Sequence, residues 1–314
     1  MPMSVDVVIT AGDGRAAKKV FMKNKALLEV DGKSILRHII EVLRASDMIG
    51  SIVVVGPKAQ FEGAIGDMPV ELIEQKRNLT ENAWEGFLQT IPEYRRTGRL
   101  TQDIVHAYQD KYVLGIPGDI PLITVRELQE FISSCDMQRY DYCAGITSER
   151  ILEQFGPRKG KPGIKMATFH ARDGNFRQNN LHLLKPFKIQ ERIDLVLKVY
   201  EYRYQKELAN IIRSVIEIVR LEPGYTGRTL WLYLLLQMST ALSSIGMEPL
   251  ARLTRYPVTK AELERLMSGL LHLRVKLVET TIGGAALDVD NEKDFLILSL
   301  RYKDWMRMID HHLA

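Results

Sequence analysis

Residues 5–15 have the sequence VDVVITAGDGR. The β-branched run Val5–Ile9 predicts a buried strand, and a glycine-containing loop from Ala11 to Gly14 follows it directly. Such a loop lets backbone N–H groups approach a phosphate, and four lysines between residues 18 and 25 add positive charge beside it. The stretch has neither the GxxxxGK(S/T) pattern of a P-loop nor the GxGxxG pattern of dinucleotide-binding proteins. It therefore indicates either an anion-binding loop of another kind or an ordinary strand-to-turn junction.

Beyond this loop, strand and helix patterns alternate along the chain. Residues 34–43, SILRHIIEVL, repeat apolar side chains at helical spacing. Further strands are predicted at 52–55, 70–73, 111–116, 140–146 and 275–278, and further helices at 82–88 and 295–308. This alternation predicts an α/β fold with a mostly parallel central sheet flanked by helices. Because ligands bind outside the carboxyl ends of such strands, we expect the site in the loops after Ile9 and Ile116.

The middle of the chain has a different pattern. Residues 163–176 are predicted to be extended, with a hairpin turn at Asp173-Gly174. Residues 186–269 are mainly helical in pattern, and Thr259 to Glu262 have the spacing of a capping box. We therefore predict one α/β domain, 1–185 plus 270–314, interrupted by a helical insertion at 186–269.

The composition narrows the class of protein. The chain has 314 residues, 46% hydrophobic and 26% charged, which suits a folded domain with a sizeable core. These values exclude a disordered chain, a collagen-like repeat and a disulfide-stapled miniprotein. The 43 basic and 39 acidic residues leave a formal charge of +4. So small and dispersed an excess does not favour a nucleic-acid partner, and it suits a pocket for an anionic small molecule.

Three features bear on the location of the protein in the cell. Cys135 and Cys143 have no CxxC or CxxH context, so two reduced thiols are expected rather than a disulfide or a zinc site. The N-terminal stretch MPMSVDVVIT lacks the basic and long apolar regions of a signal peptide, so we expect a cytoplasmic protein. Residues 229–247 are uncharged, but polar side chains dilute their second half. A buried helix is the expectation there, and the alternatives are a homodimer contact, a membrane-surface contact or a membrane span.

Two acidic motifs fall where the active edge of the sheet is expected. Gly118-Asp119-Ile120-Pro121-Leu122 follows the strand that ends at Ile116, and a carboxylate there suits a divalent metal that bridges to phosphate. Asp288 and Asp290 precede the last helix, and their i, i+2 spacing on an extended segment places both on one side. Either could join Asp119 around a cation. A turn residue at 119 and a helix N-cap near 290 are the alternatives.

In this order, the three segments resemble the GT-A-type nucleotidyltransferases, specifically the MobA-like NTP transferase superfamily. Members of that superfamily open with a strand and an AGGxGxRM loop, then have K-x-L, GDxPL and a late DVDTPEDL-like element. The corresponding segments here are VVITAGDGRAAKK at 7–19, KALL at 25–28, GDIPL at 118–122 and DVDNEKDF at 288–295. The resemblance covers residues 5–150 and 275–300.

The resemblance implies a Rossmann-like GT-A fold and a nucleotidyltransferase activity. The enzyme would transfer a nucleoside monophosphate from an NTP to a small phosphorylated acceptor, release pyrophosphate and use Mg²⁺. By position, Ala11, Gly12, Gly14, Arg15 and Lys25 would contact the nucleotide, with Gly12, Gly14 and Lys25 at its phosphates.

The remaining roles implied by the resemblance concern the metal, the base and the catalytic groups. Asp119 and Asp290 would hold Mg²⁺, with Asp288 as the alternative second ligand. Lys25 would act with Asp119 and Asp290 in catalysis, and Asn82 would contact the base or the ribose.

One departure from the family pattern concerns the triphosphate. Asp13 stands where the family has a second glycine, and a carboxylate beside a triphosphate is unfavourable unless it turns outward or meets the metal. Asp13 and the large apolar helical insertion favour one alternative, a nucleotide-binding protein that has lost its catalysis. A glycosyltransferase on the same GT-A scaffold, which would use a nucleotide-sugar, is the other alternative.

The acceptor side is predicted from two segments. The basic, glycine-rich loop 156–163 could bind an acceptor phosphate through Lys161, and a solvated surface loop is the alternative. Residues 177–182, RQNNLH, resemble a GGN-like element that faces the acceptor in some family members, with Asn180 as the best match. Turn chemistry is the alternative for this second segment.

Overall fold

The computed structural model describes residues 4–14, 19–190 and 246–311, together with isolated positions between 227 and 242. In chain order the strands are β1 Val5–Thr10, β2 Glu29–Val30, β3 Lys33–Ser34, β4 Ile49–Gly56, β5 Glu71–Glu74, β6 Val113–Pro117, β7 Tyr142–Ser148, β8 Phe169–Ala171, β9 Gly174–Leu184 and β10 Val275–Thr280. The described α-helices are α1 Ile35–Arg44, α2 Lys58–Ile65, α3 Leu79–Gln89, α4 Pro92–Thr97, α5 Gln102–Tyr108, α6 Val125–Ser134, α7 Glu149–Leu152, α8 Pro186–Gln190, α9 Glu248–Arg255, α10 Lys260–Leu271 and α11 Glu292–His311.

Eight of the strands form one mostly parallel sheet. Its order is β10-β7-β9-β6-β1-β4-β5, and β8 pairs with β9 outside this path. Strand β9 runs antiparallel to β6, β7 and β8, whereas the β1–β4, β1–β6, β4–β5 and β7–β10 pairs are parallel. The predicted α/β class is therefore confirmed, and the carboxyl ends of β1, β6, β7 and β10 meet at one edge.

Both faces of the sheet are covered by helices, as the apolar strand sequences require. On one face, Val7 and Ile9 of β1 pack in a core that α1, α6 and α11 complete. On the other, Val8 packs with Phe87 of α3 and with residues of α5 and α8. Helix α1 begins where the Ser34 side chain accepts a hydrogen bond from the Arg37 backbone N–H, and its buried stripe has helical spacing.

The described end of the predicted insertion packs on the sheet. Val258 and Leu263 form a cluster with Ile146 of β7 and Phe176 of β9. The capping box is confirmed, since the Thr259 hydroxyl accepts from the Glu262 backbone N–H and α10 follows. Residues 191–226 and most of 229–247 lie outside the described part of the chain, and so do the interpretations that fall on them. Among the described helices, none is long and apolar enough to cross a membrane.

The main difference from the sequence prediction lies in residues 177–182. These residues are not a turn; they form the interior of β9, the longest strand of the sheet. The pairing of β7 with β9 shifts register between Ala144 and Ile146, so β9 bulges around Asn180, whose φ is +65°. Asparagine tolerates this left-handed conformation better than most residues, so Asn180 suits the bulge position.

Candidate active site

The glycine loop lies against the loop that follows β5. A Cβ atom at Gly12 would lie 2.7 Å from Nδ2 of Asn82 and 3.0 Å from Oε1 of Gln75, so only glycine permits this close approach. The loop is tied to its surroundings by the Ala11 N–H, which donates to the Val55 carbonyl at 2.8 Å, and by the Asn24 amide, which donates to the Ala11 carbonyl at 2.8 Å. Arg15 lies outside the described residues.

Asp13, the departure from the family pattern, is engaged by Gln75. The Gln75 amide donates to Oδ1 of Asp13 at 2.5 Å, and its carbonyl oxygen accepts from the Asp13 backbone N–H at 2.7 Å. The ammonium group of Lys19 lies 4.0 Å from the second carboxylate oxygen. One Asp13 oxygen is therefore bound on the Gln75 side, and the negative charge is partly compensated by a nearby cation.

Asn82 is buried in the first turn of α3, with 4% of its surface exposed. Its carbonyl oxygen accepts from the Lys76 backbone N–H at 2.5 Å, while its amide nitrogen faces Gly12. Asn82 thus joins the glycine loop to the loop after β5. The structure brings the two predicted nucleotide-contacting segments together at this residue.

Lys25 and two aspartates form the centre of the site. Nζ of Lys25 lies 3.1 Å from a carboxylate oxygen of Asp119 and 3.5 Å from one of Asp290. Gly118 makes this geometry possible, because a Cβ atom there would lie 2.7 Å from that of Ala11. The Val289 backbone N–H donates to the Asp119 carbonyl at 3.1 Å and so fixes the late acidic segment beside the loop after β6.

In this cluster, burial and the attraction of opposite charges act against each other on the pKa values of Asp119 and Lys25. Burial, together with the Asp288 and Asp290 carboxylates, raises the pKa of Asp119 to about 6, although Lys25 acts to lower it. Burial alone would lower the pKa of Lys25, but attraction to Asp119, Asp290 and Asp288 raises it above the usual value. The lysine is therefore held as a cation among carboxylates.

Asp288 has a different partner. Nη2 of Arg177 donates to its carboxylate at 2.6 Å, and Nε of the same guanidinium donates to the Ala286 carbonyl at 3.0 Å. Asp290 is thus the aspartate of the late motif that contacts Lys25, and Asp288 is held by β9. Arg177 lies in the 177–182 segment that was predicted to face the acceptor, but its pairing with Asp288 was not predicted; a basic side chain within that segment was the available signal.

The two predicted acceptor residues lie in different places. The Asn180 amide donates to the Ala285 carbonyl at 3.0 Å, so Asn180 lies next to the segment that leads to Asp288. Lys161 forms an exposed ion pair with Asp304 of α11 at 3.2 Å. The structure therefore brings Asn180, and not Lys161, to the late acidic segment.

The donor set at the centre fits a magnesium ion. Asp119 and Asp290 both contact the Lys25 ammonium, so one cation of the protein already bridges the two carboxylates. Within residues 4–14, 19–190 and 246–311, no group of three or more acidic, histidine or cysteine side chains could hold a metal. Two carboxylates agree with the habit of Mg²⁺, which takes one or two from the protein and its other oxygens from substrate phosphate and water.

Comparisons with known proteins agree with this geometry. A family model described as the MobA-like NTP transferase domain matches residues 7–218. The chain is 31% identical to the bifunctional protein GlmU of Francisella philomiragia over 133 residues. This aligned region covers 42% of this chain and 26% of that protein. It is 26% identical over 138 residues to GlmU of Legionella pneumophila, over 43% of this chain and 26% of that protein.

Structural comparison extends the likeness over the fold. A hypothetical transferase from Thermus thermophilus has a TM-score of 0.59 at 20% identity, over 93% of this chain and all of that one. This likeness concerns the fold alone. The chain spans about a quarter of the length of the two GlmU proteins that it matches.

Proposed function

The chain belongs to the MobA-like NTP transferase family, and we propose that it transfers a nucleoside monophosphate from an NTP to a small phosphorylated acceptor, with Mg²⁺ as its cofactor. The observation that carries the proposal is the contact of Lys25 with both Asp119 and Asp290, beside a glycine loop at the carboxyl edge of the sheet. This arrangement offers one cation from the protein and the ligands for a second.

In the proposed reaction, an oxygen of the acceptor phosphate attacks the α-phosphorus of the NTP. The new bond joins that oxygen to the α-phosphorus, and the bond from the α-phosphorus to the bridging oxygen breaks, so that pyrophosphate leaves with the electron pair. The protein supplies little covalent chemistry, since its task is to hold two anions together and to compensate their charge.

Each side chain of the centre has a role in that task. Lys25 would bind the triphosphate and stabilise the charge that develops on the leaving pyrophosphate. Asp119 and Asp290 would hold Mg²⁺, which when bound neutralises phosphate oxygens and orients the triphosphate. The glycine loop would donate backbone N–H groups to the phosphates, and Asn82 would lie on the base and ribose side.

We further propose that Asn180 faces the acceptor. Its position on the β9 bulge, in contact with Ala285, places it near the late acidic segment. Lys161 stays a second proposed acceptor contact, and an acceptor phosphate would replace its exposed ion pair with Asp304.

We also propose that the chain divides into a nucleotidyltransferase domain, 1–185 plus 270–314, and a helical insertion at 186–269.

The degenerate alternative rested partly on Asp13. Gln75 binds one oxygen of this carboxylate and the Lys19 ammonium lies near the other, so its charge opposes the triphosphate only weakly, and these contacts support a working site. The glycosyltransferase alternative predicts a different product, a nucleoside diphosphate released from a nucleotide-sugar.

The test is a panel of CTP, GTP, UTP and ATP with Mg²⁺ against phosphorylated small molecules, with pyrophosphate as the measured product. Pyrophosphate from one NTP with one acceptor class supports the proposal and identifies both substrates. Release of a nucleoside diphosphate from a nucleotide-sugar panel, with silence in the NTP panel, supports the glycosyltransferase. Tight NTP binding with no product in either panel supports the degenerate site.

A further inference from the structure

The first turn of α6 contains a buried carboxylate that the proposed reaction does not use. Glu127 is fully buried. Its Oε1 accepts from the Thr280 hydroxyl at 3.1 Å and from the Gly283 N–H at 3.0 Å, and its Oε2 accepts from the Ala285 N–H at 2.9 Å. All three donors belong to one segment, residues 280–285, which runs from the end of β10 toward Asp288.

This segment leaves little room for adjustment. A Cβ atom at Gly284 would collide with the Leu122 carbonyl oxygen and would lie 3.2 Å from Oε2 of Glu127. Beyond it, the Ala285 carbonyl is held by Asn180 and the Asp119 carbonyl by the Val289 N–H. A continuous series of close contacts therefore connects Glu127 with the segment that carries Asp288 and Asp290.

A buried hydroxyl and amide network extends this support into the sheet. The Asn179 amide donates to the Thr280 hydroxyl at 2.8 Å and to the Thr147 hydroxyl at 3.2 Å. Asn179, Thr147 and Thr280 are all fully buried. The Thr280 hydroxyl accepts from Asn179 and donates its own hydrogen to Glu127. Residues of β7, β9 and β10 therefore form one hydrogen-bonded network with this carboxylate.

The chemistry of Glu127 is specific to a carboxylate. Burial raises its pKa to about 7, while the donors from Ala285, Thr280 and Gly283 act to lower it. A neutral amide at the same place would offer one acceptor and one donor, and its NH₂ group would face a backbone N–H. One of the three contacts would then be lost and a donor would be left buried without an acceptor.

We propose that Glu127 is a positioning residue that fixes the 280–289 segment, so that Asp290 can share a divalent cation with Asp119. The inference rests on the proposed function for the presence of that cation. Partners that orient the ligands of a metal typically contribute about 10- to 100-fold to its affinity.

The test compares the binding of inorganic tripolyphosphate in Mg²⁺ and in EDTA by calorimetry. The effect of Mg²⁺ on tripolyphosphate itself is common to all variants, so a change of this ratio between a variant and wild type isolates the contribution of the protein's metal contacts, and the probe is independent of the base. Glu127→Gln should reduce that ratio by about tenfold or more, while the affinity in EDTA stays within about twofold of wild type. Uniform loss of fold would lower both affinities together, so the ratio distinguishes positioning from general damage.

Glu130→Gln is the matched control. Glu130 lies one turn along α6, is partly exposed, and accepts from the Thr281 N–H through both oxygens at 3.1 and 3.2 Å. A glutamine oxygen can still accept that single N–H, so the ratio should stay at the wild-type value. If Glu127→Gln does not fold, Thr280→Val removes one of the three donors, and the ratio should then fall roughly fivefold.

An unchanged ratio in Glu127→Gln, with wild type showing a clear Mg²⁺ effect, would overturn this inference and leave the proposed function intact. Equal losses in Mg²⁺ and EDTA would overturn it as well, since they indicate a structural role only. If wild type binds tripolyphosphate equally with and without Mg²⁺, the proposed use of Mg²⁺ fails, and the inference fails with it.

Discussion

Asp119→Asn should remove turnover and, at the same time, stabilise the folded protein at neutral and alkaline pH. Only 18% of the Asp119 side chain is exposed. Burial and two neighbouring carboxylates raise its pKa to about 6 from an ordinary value of 3.8. Because the folded-state pKa is the higher one, this carboxyl favours the folded state below about pH 3.8, and that contribution is lost as the pH rises to about 6.

The size of the effect follows from the same two values. A pKa difference of about two corresponds to about 3 kcal/mol of folding free energy over the whole transition. Part of that loss has already occurred at about pH 4.5. The free energy of unfolding of Asp119→Asn, minus that of wild type, should therefore grow by about 2 kcal/mol between pH 4.5 and pH 8.

Urea unfolding of both proteins at these two pH values measures this difference, with pyrophosphate release as the activity readout. Asp290→Asn is the comparison variant: 48% of this side chain is exposed, and its charge is only one of the causes that raise the Asp119 pKa, so its difference from wild type should grow by less. A difference for Asp119→Asn that does not change with pH, or that shrinks as the pH rises, would show that the Asp119 pKa is not raised in the folded protein. Turnover by Asp119→Asn within tenfold of wild type would exclude it as a metal ligand.

Three further predictions concern the groups around this centre. Lys25→Gln should lower kcat by roughly 100-fold or more in the pyrophosphate assay, because a cation that would bind the phosphates is lost. Lys23 is an exposed lysine nearby, and Lys23→Gln should have little effect on kcat. Asp13→Asn should bind the NTP about two- to fivefold more tightly by calorimetry, because a negative charge is removed while the oxygen that accepts from Gln75 is kept; weaker binding would show that the charge itself assists. Arg177→Lys should lower kcat/KM by roughly tenfold, because lysine cannot hold Asp288 and the Ala286 carbonyl together, and Arg172→Lys at an exposed site on the β8–β9 turn should not.

The parts of the fold that could be predicted are those in which local pattern and burial agree. Strand β1 is rich in β-branched residues and buried on both faces, and α1 has an apolar stripe and a serine N-cap. A few residues therefore suffice to predict each element. The short helices α2, α4 and α5 were not predicted, since few of their residues are buried and their apolar pattern is weak. The reversed direction of β9 depends on pairing with β6 and β7, which its own sequence does not encode.

The site shows the same division. The grouping of Lys25, Asp119 and Asp290 could be predicted because each lies in a short motif that resembles the family pattern, namely KALL at 25–28, GDIPL at 118–122 and DVDNEKDF at 288–295. Glu127 could not, because Thr124 and Glu127 have the spacing of a capping box, in which the glutamate turns back to its own helix. Its side chain instead reaches Gly283, 156 residues along the chain. The engagement of Asp13 by Gln75 spans 62 residues and was equally invisible to local pattern.

The fate of the α-phosphate distinguishes nucleotidyl transfer from every alternative. The measurement uses an NTP labelled at the α-phosphate, Mg²⁺ and the acceptor class identified by the panel. We expect the label to enter the acceptor and one unlabelled pyrophosphate to be released for each label transferred. Label found in a nucleoside diphosphate, or in free nucleoside monophosphate with an unmodified acceptor, would contradict it.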